Sequence, residues 1–140
     1  MSTPFRKVLL VDDDPTTNFL NRIVLERSGF AGQVVERDNG LTALEYVKRN
    51  CMNDNVSKEG CPDLILLDIN MPVMSGPEFL VELAKIEQAG KIVTKVVVLS
   101  SSSLLKDQYL IGKYQVIDFI QKPLTAEKVE CIVRKATSGQ

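Results

Sequence analysis

The chain has 140 residues, a formal net charge of -1 and 25% charged residues, which suits one domain able to bury roughly 65–70% of its unfolded surface without a staple. Lys and Arg are scattered, so neither nucleic acid nor an anionic membrane is an expected partner. No apolar run is long enough to cross a bilayer, and the leading stretch MSTPFRKVLLVDDD stops on acids, unlike a signal peptide. Cys51, Cys61 and Cys131 are an odd set with no close pair and no His beside them. They read as isolated reduced thiols in a cytoplasmic protein, with zinc not expected.

Short β-rich runs alternate with helical patterns. The first run, Val8–Val11, is continuously apolar and ends on Asp12, Asp13 and Asp14. Asp14-Pro15 opens a helix as N-cap and first helical residue. Phe19, Leu20, Ile23 and Val24 then recur at helical spacing, and Gly29 ends it. A mixed run at Val34–Glu36 precedes a helix over about Leu41–Asn50 with Leu44 and Val47 inward. The polar stretch Asn50–Cys61 reads as a surface insertion. Leu64–Leu67 is again continuously apolar and ends on Asp68. A third helix starts near Ser75, carries Phe79, Leu80, Leu83 and Ile86, and closes before Gly90. Lys95–Ser100 follows, then a fourth helical segment over about Leu104–Lys113, the run Val116–Ile120, and a last helix over about Thr125–Thr137 with Val129, Ile132 and Val133 on one face.

Continuous apolar runs mark strands buried on both faces, so the pattern predicts a doubly wound α/β fold of parallel strands sandwiched by helices. The more mixed second and fifth runs belong nearer the edges. No repeat, linker or second domain is read. Ligands in such sheets bind beyond the carboxyl ends of the strands, where Asp12, Asp13, Asp68, Ser100 and Lys122 fall. Taken singly, these are ordinary turn, cap and surface residues. Together they suit a hard cation or a phosphoryl group: carboxylates favour Mg²⁺, an aspartate can accept phosphoryl, and a lysine and a hydroxyl can offset its charge.

The ordered set VLLVDDD, PDLILLDINMPVMSG, VVVLSSS and DFIQKP resembles the receiver domain of two-component response regulators, in the single-domain, chemotaxis-regulator-like form, over about residues 6–136. The resemblance implies a flavodoxin-like (βα)5 fold with strand order 2-1-3-4-5 and no output domain. Asp68 matches the phosphoacceptor, and Ser100 and Lys122 the phosphoryl-contacting pair. Asp13, Asp68 and the backbone carbonyl of Asn70 match the Mg²⁺ ligands, with Asp12 acting mainly through water. Phe119 and Ser100 match the switch residues, Lys122-Pro123 a bond usually cis, and Asn70 and Ser102 the positions that tune dephosphorylation. Phe119 lacks the hydroxyl of the common Tyr. Ser101 stands where a small residue usually follows, and position 118 is often small or Gly where this chain has Asp.

The implied function is phosphorelay signalling. A histidine kinase or phosphotransfer protein would donate to Asp68. A partner would read the face formed by the fourth helical segment, the fifth strand and the last helix, with no enzyme activity beyond the domain's own phosphorylation and dephosphorylation. Two alternatives stand. A receiver fold used only for binding would form no aspartyl-phosphate. A haloacid-dehalogenase-like phosphatase would use Asp12, Asp14 and Thr16 as its DxDxT string and carry the phosphoryl group on Asp12, leaving Asp68 unexplained.

Overall fold

The computed structural model describes residues 4–51, 60–69, 71, 73–90, 94–100 and 116–138. Strands β1 (Phe5–Val11), β2 (Ala31–Arg37), β3 (Leu64–Asp68), β4 (Lys95–Ser100) and β5 (Val116–Gln121) form one parallel sheet in the order β2-β1-β3-β4-β5. Helices α1 (Pro15–Arg27), α2 (Gly40–Cys51), α3 (Gly76–Gly90) and α4 (Ala126–Ser138) are described. The fourth helical segment expected from the sequence, about 104–113, lies outside the described residues, as does 52–59 of the loop after α2.

The strand positions follow from composition. The continuously apolar β1, β3 and β4 occupy the interior of the sheet, and the mixed β2 and β5 its edges. Side chains alternate between two cores. Leu9, Val11, Ile65, Leu67, Val96 and Val98 pack with α2 and α3 around Phe79 and Leu83. Val8, Leu10, Leu64, Leu66, Val97 and Leu99 pack with Leu25 of α1 and with Val129 and Ile132 of α4. Pairing of β4 with β5 shifts register between Val96 and Val97, so Val97 faces Asp118 and Val98 faces Phe119.

Local chemistry sets the helix ends. Asp14 caps α1, accepting from the Thr16 amide at 3.0 Å and the Thr17 hydroxyl at 2.9 Å, with Pro15 opening the helix. Gly29 closes the turn after α1 at φ +72°, a conformation that favours glycine. Before α3, Ser75 and Glu78 form a reciprocal capping box: the Glu78 carboxylate accepts from the Ser75 amide at 3.0 Å, and Ser75 Oγ from the Glu78 amide at 3.3 Å.

The structure corrects the reading of the cysteines and gives α1 a direction that its spacing left open. The apolar repeat of α1 does not all face inward: Phe19 is 56% and Leu20 54% exposed and Ile23 and Val24 are half-buried, while Asn18, Asn21 and Leu25 are buried. The helix is seated by polar contacts, because Asn18 Nδ2 donates to the carbonyls of Asp12 (3.1 Å) and Arg37 (3.2 Å) at the ends of β1 and β2. Nor are all three cysteines isolated thiols: Cys51 and Cys61 form a disulfide, with Cα atoms 4.7 Å apart. Only Cys131 is free among the described residues. The end of α2 and the approach to β3 meet in space although the intervening loop hides this in the sequence.

Candidate functional site

Every strand end expected to carry chemistry converges at one edge of the sheet. Asp12 and Asp13 follow β1, Asp68 closes β3, Ser100 closes β4, and Lys122 follows β5. Asp12, Asp68 and Ser100 are buried at 3%, 6% and 3% exposure, whereas Asp13 is exposed. One carboxylate oxygen from each of Asp12, Asp13 and Asp68 lies within 4.8 Å of the others.

Three carboxylates this close repel one another unless a cation intervenes. Lys122 supplies one: its Nζ donates to Asp12 Oδ2 at 2.8 Å and lies 3.5 Å from Asp68 Oδ1. Burial pulls the Lys122 pKa down, but the hydrogen bond and charge of Asp12, joined by Asp68, outweigh it and hold the ammonium above the usual lysine value. Among the described residues one ammonium against three carboxylates leaves an excess of negative charge, on hard oxygen donors. That donor set suits Mg²⁺, so the residues present fit the ion the sequence implies.

The backbone holds these groups in place. Asp68 sits opposite Leu99 in the β3–β4 register, and the amide of Ile69 donates to the Leu99 carbonyl at 3.2 Å, continuing the ladder one residue past Asp68. The amide of Gly76 donates back to the Ile69 carbonyl at 3.0 Å, bringing the start of α3 against the end of the strand. A Cβ on Gly76 would come 2.8 Å from Ile69 Cα, so the close approach needs glycine. On the far side, Asp12 Oδ1 accepts from the Asp14 amide at 2.9 Å, and the amide of Lys122 donates to the Ser100 carbonyl at 2.6 Å. The Lys122-Pro123 bond is cis, as the resemblance implies.

Phe119 is half-buried against the α2–α3 core, with Asp118 beside it ion-paired to Lys135 of α4 at 3.0 Å. Asn70, Ser101 and Ser102 lie outside the described residues. Asp14 does not join the acid cluster, because its carboxylate caps α1; the DxDxT string is therefore not assembled as a single acidic site. Sequence reasoning missed Asn18, which ties α1 to the strand ends, and the outward aromatic of α1 beside the acids. The first has no sequence signal, and the second was visible only as a periodicity without a direction.

A family model described as "Response regulator receiver domain" matches residues 8–134. The chain is 32% identical over 136 residues to two-component response regulator ORR41 of Oryza sativa subsp. japonica, covering 96% of this chain and 97% of that protein. It is 31% identical over 123 residues to chemotaxis protein CheY of Bacillus subtilis, covering 88% of this chain and 90% of that one. A crystal structure of a two component response regulator from Cytophaga hutchinsonii superposes with a TM-score of 0.83 at 27% identity, covering 96% of this chain and 98% of that chain. Other curated relatives, transcriptional regulators among them, are longer, and the chain spans 38%, 32% and 49% of three of them.

Proposed function

The chain belongs to the response regulator receiver family of two-component signalling, and on that premise we propose that it takes a phosphoryl group onto Asp68 from a phosphohistidine-bearing kinase or phosphotransfer protein. The observation that carries this reading is the cluster itself: Asp12, Asp13 and Asp68 within 4.8 Å, spanned by the Lys122 ammonium.

The chemistry proposed follows from those groups. An Asp68 oxygen bonds to phosphorus as the phosphorus–nitrogen bond to imidazole breaks, and the imidazole takes a proton from solvent. Burial and the strand register keep the Asp68 carboxylate fixed for in-line approach. Lys122 releases part of its hold on the acids to offset the phosphoryl oxygens, and the Ser100 hydroxyl donates to one of them. Asp13, Asp68 and the Asn70 carbonyl would hold Mg²⁺, with Asp12 acting mainly through water, and the ion would supply further positive charge against the same oxygens. Hydrolysis resets the domain at a rate tuned by Asn70 and Ser102. The exposed Phe19 and Leu20 of α1, a helix that starts directly after the acids, offer the apolar contact a phosphodonor protein would use.

Output is a population shift in which Ser100 moves toward the phosphoryl group and Phe119 turns into the space behind it. The surface remodelled is the one from segment 104–113 through β5 to α4, read by a separate protein in the cytoplasm. Moving from 1% to 99% active requires about 5.5 kcal/mol of differential stabilisation.

The test is intact-mass measurement after incubation with Mg²⁺ and acetyl phosphate. A phosphoryl adduct is expected in the wild type, absent without Mg²⁺ and absent in Asp68→Asn. An adduct persisting in Asp68→Asn and mapping to Asp12 would instead favour the phosphatase-like reading. No adduct from acetyl phosphate or from a phosphorylated phosphotransfer protein would leave a binding-only module.

A further inference from the structure

At the amino end of the sheet, opposite the acids, Cys51 and Cys61 meet across the mouth of the loop after α2. We propose that this pair is a reversible two-electron modification site, oxidised by disulfide-class oxidants such as oxidised glutathione and opened again by thiols. The argument rests on how each sulfur is placed without help from the other. Cys51 ends α2, whose Ala43, Leu44 and Val47 are locked into the core. Cys61 lies in a segment held by β1 and by the residue before β4. Lys7 Nζ donates to the Gly60 carbonyl at 3.0 Å, and Arg6 Nη2 to the Cys61 carbonyl at 3.2 Å. The Arg6 amide donates to Asp63 Oδ2 at 2.6 Å, and the Thr94 hydroxyl to the Pro62 carbonyl at 2.8 Å. None of these contacts uses either sulfur, so reduction removes none of them and the two thiols would stay poised to re-form the bond.

The reduced state is also provided for. Thr94 Oγ1 lies 3.7 Å from Cys61 Sγ and gives its own hydrogen to Pro62, leaving lone pairs that can accept from a Cys61 thiol. Arg6 and Lys7 hold the backbone of the same segment through its carbonyls and so fix where the Cys61 sulfur sits. In the forward reaction one cysteine thiolate attacks a glutathione sulfur and expels a glutathione thiolate. The second cysteine thiolate then attacks the mixed disulfide and expels the other. Two protein thiols become one disulfide, and oxidised glutathione becomes two glutathione thiols. Disulfides of this transient kind are what a reducing compartment permits. The bond joins the end of α2 to the approach to β3, the strand that ends on Asp68, so oxidation tightens the base of the phosphoacceptor strand without touching the acids.

The experiment is alkylation of the native full chain with iodoacetamide in glutathione buffers of stepped oxidised-to-reduced ratio, read by intact mass and peptide mapping. In oxidising buffer one carbamidomethyl group is expected, on Cys131, and three in reducing buffer, with a melting temperature about 5–10 °C higher for the oxidised form. The temperature difference should vanish in Cys51→Ser/Cys61→Ser. Three alkyl groups in oxidising buffer, or stable glutathione adducts on Cys51 or Cys61 in place of the internal bond, would overturn the proposal. So would a bond that no glutathione ratio opens, since the site would then be a permanent crosslink.

Discussion

The two ends of the sheet are built on opposite electrostatic terms. At the carboxyl end, Asp12, Asp13 and Asp68 crowd together and share the Lys122 ammonium. At the amino end, Lys7 is buried and pairs with no acid among the described residues: its Nζ gives to the Tyr46 hydroxyl at 2.6 Å and the Gly60 carbonyl at 3.0 Å, over the Tyr46 ring. Around it the Asp63 amide donates to the Lys7 carbonyl, the Lys95 amide to the Asp63 carbonyl, and Thr94 to Pro62. The amino end spends its polar groups on one another. The carboxyl end keeps an excess of one charge, and that excess is what a divalent cation or an incoming phosphoryl donor can act on.

Substitution should separate the two ends. Lys122→Met is expected to have the largest effect. Phosphoryl uptake from acetyl phosphate should fall on the order of 10²-fold, and urea unfolding without divalent cation should show a loss of about 1–3 kcal/mol, because two buried carboxylates lose their partner. Mg²⁺ should then raise the melting temperature of the variant more than that of the wild type; an equal rise would argue against a shared role. Lys122 also fixes a pH window. Its pKa is raised on folding, so its contribution is complete below 10.5 and fades as pH climbs through the higher folded value. Above that point the stability advantage of the wild type over Lys122→Met should shrink.

Thr94→Val should cost about 1 kcal/mol by removing the bond to Pro62, with phosphoryl uptake unchanged; altered uptake would mean the ends communicate. Asp13→Asn should do the reverse of a usual polar deletion and stabilise the metal-free protein by up to about 1 kcal/mol, while weakening Mg²⁺ binding in a calorimetric titration. The smallest effect is at the α1 cap. Hydrogen bonds from the Thr17 hydroxyl and the Thr16 amide hold the Asp14 carboxyl below its ordinary 3.8. The contribution is therefore present above 3.8 and lost as pH falls through the lower folded value. Asp14→Ala should flatten that acid limb in a thermal-melt series.

What the sequence made legible is what local chemistry decides. The run LILL ending on Asp68 read as a doubly buried strand with its acid at the strand end, which it is, and Asp14-Pro15 could be read as a cap and first turn. The mixed runs of β2 and β5 pointed to the edges they occupy. What stayed hidden depends on partners distant in the chain. Phe19 and Leu20 repeat at helical spacing, but periodicity has no sign, and only the carbonyls of Asp12 and Arg37 explain why the Asn18 side faces inward. Cys51 and Cys61 are ten residues apart, and nothing local shows that α2 ends where β3 begins. The register shift opposite Val96 and Val97 is likewise a property of the pair of strands, not of either one.

The polar seating of α1 has a consequence for how such a domain can diversify. A helix anchored by a greasy stripe ties its outer face to its inner one, since each apolar position is needed for stability. Here the grip on the sheet comes from Asn18 together with Leu25 and the half-buried Val24, and the outward Phe19 and Leu20 carry little of it. Those two positions can be rewritten almost as freely as a loop while remaining on a rigid rod beside the acids. On the proposed reading, in which those two side chains meet the phosphodonor, recognition and foldedness would be inherited on separate residues of one helix, and a new donor could be matched without first rebuilding the domain.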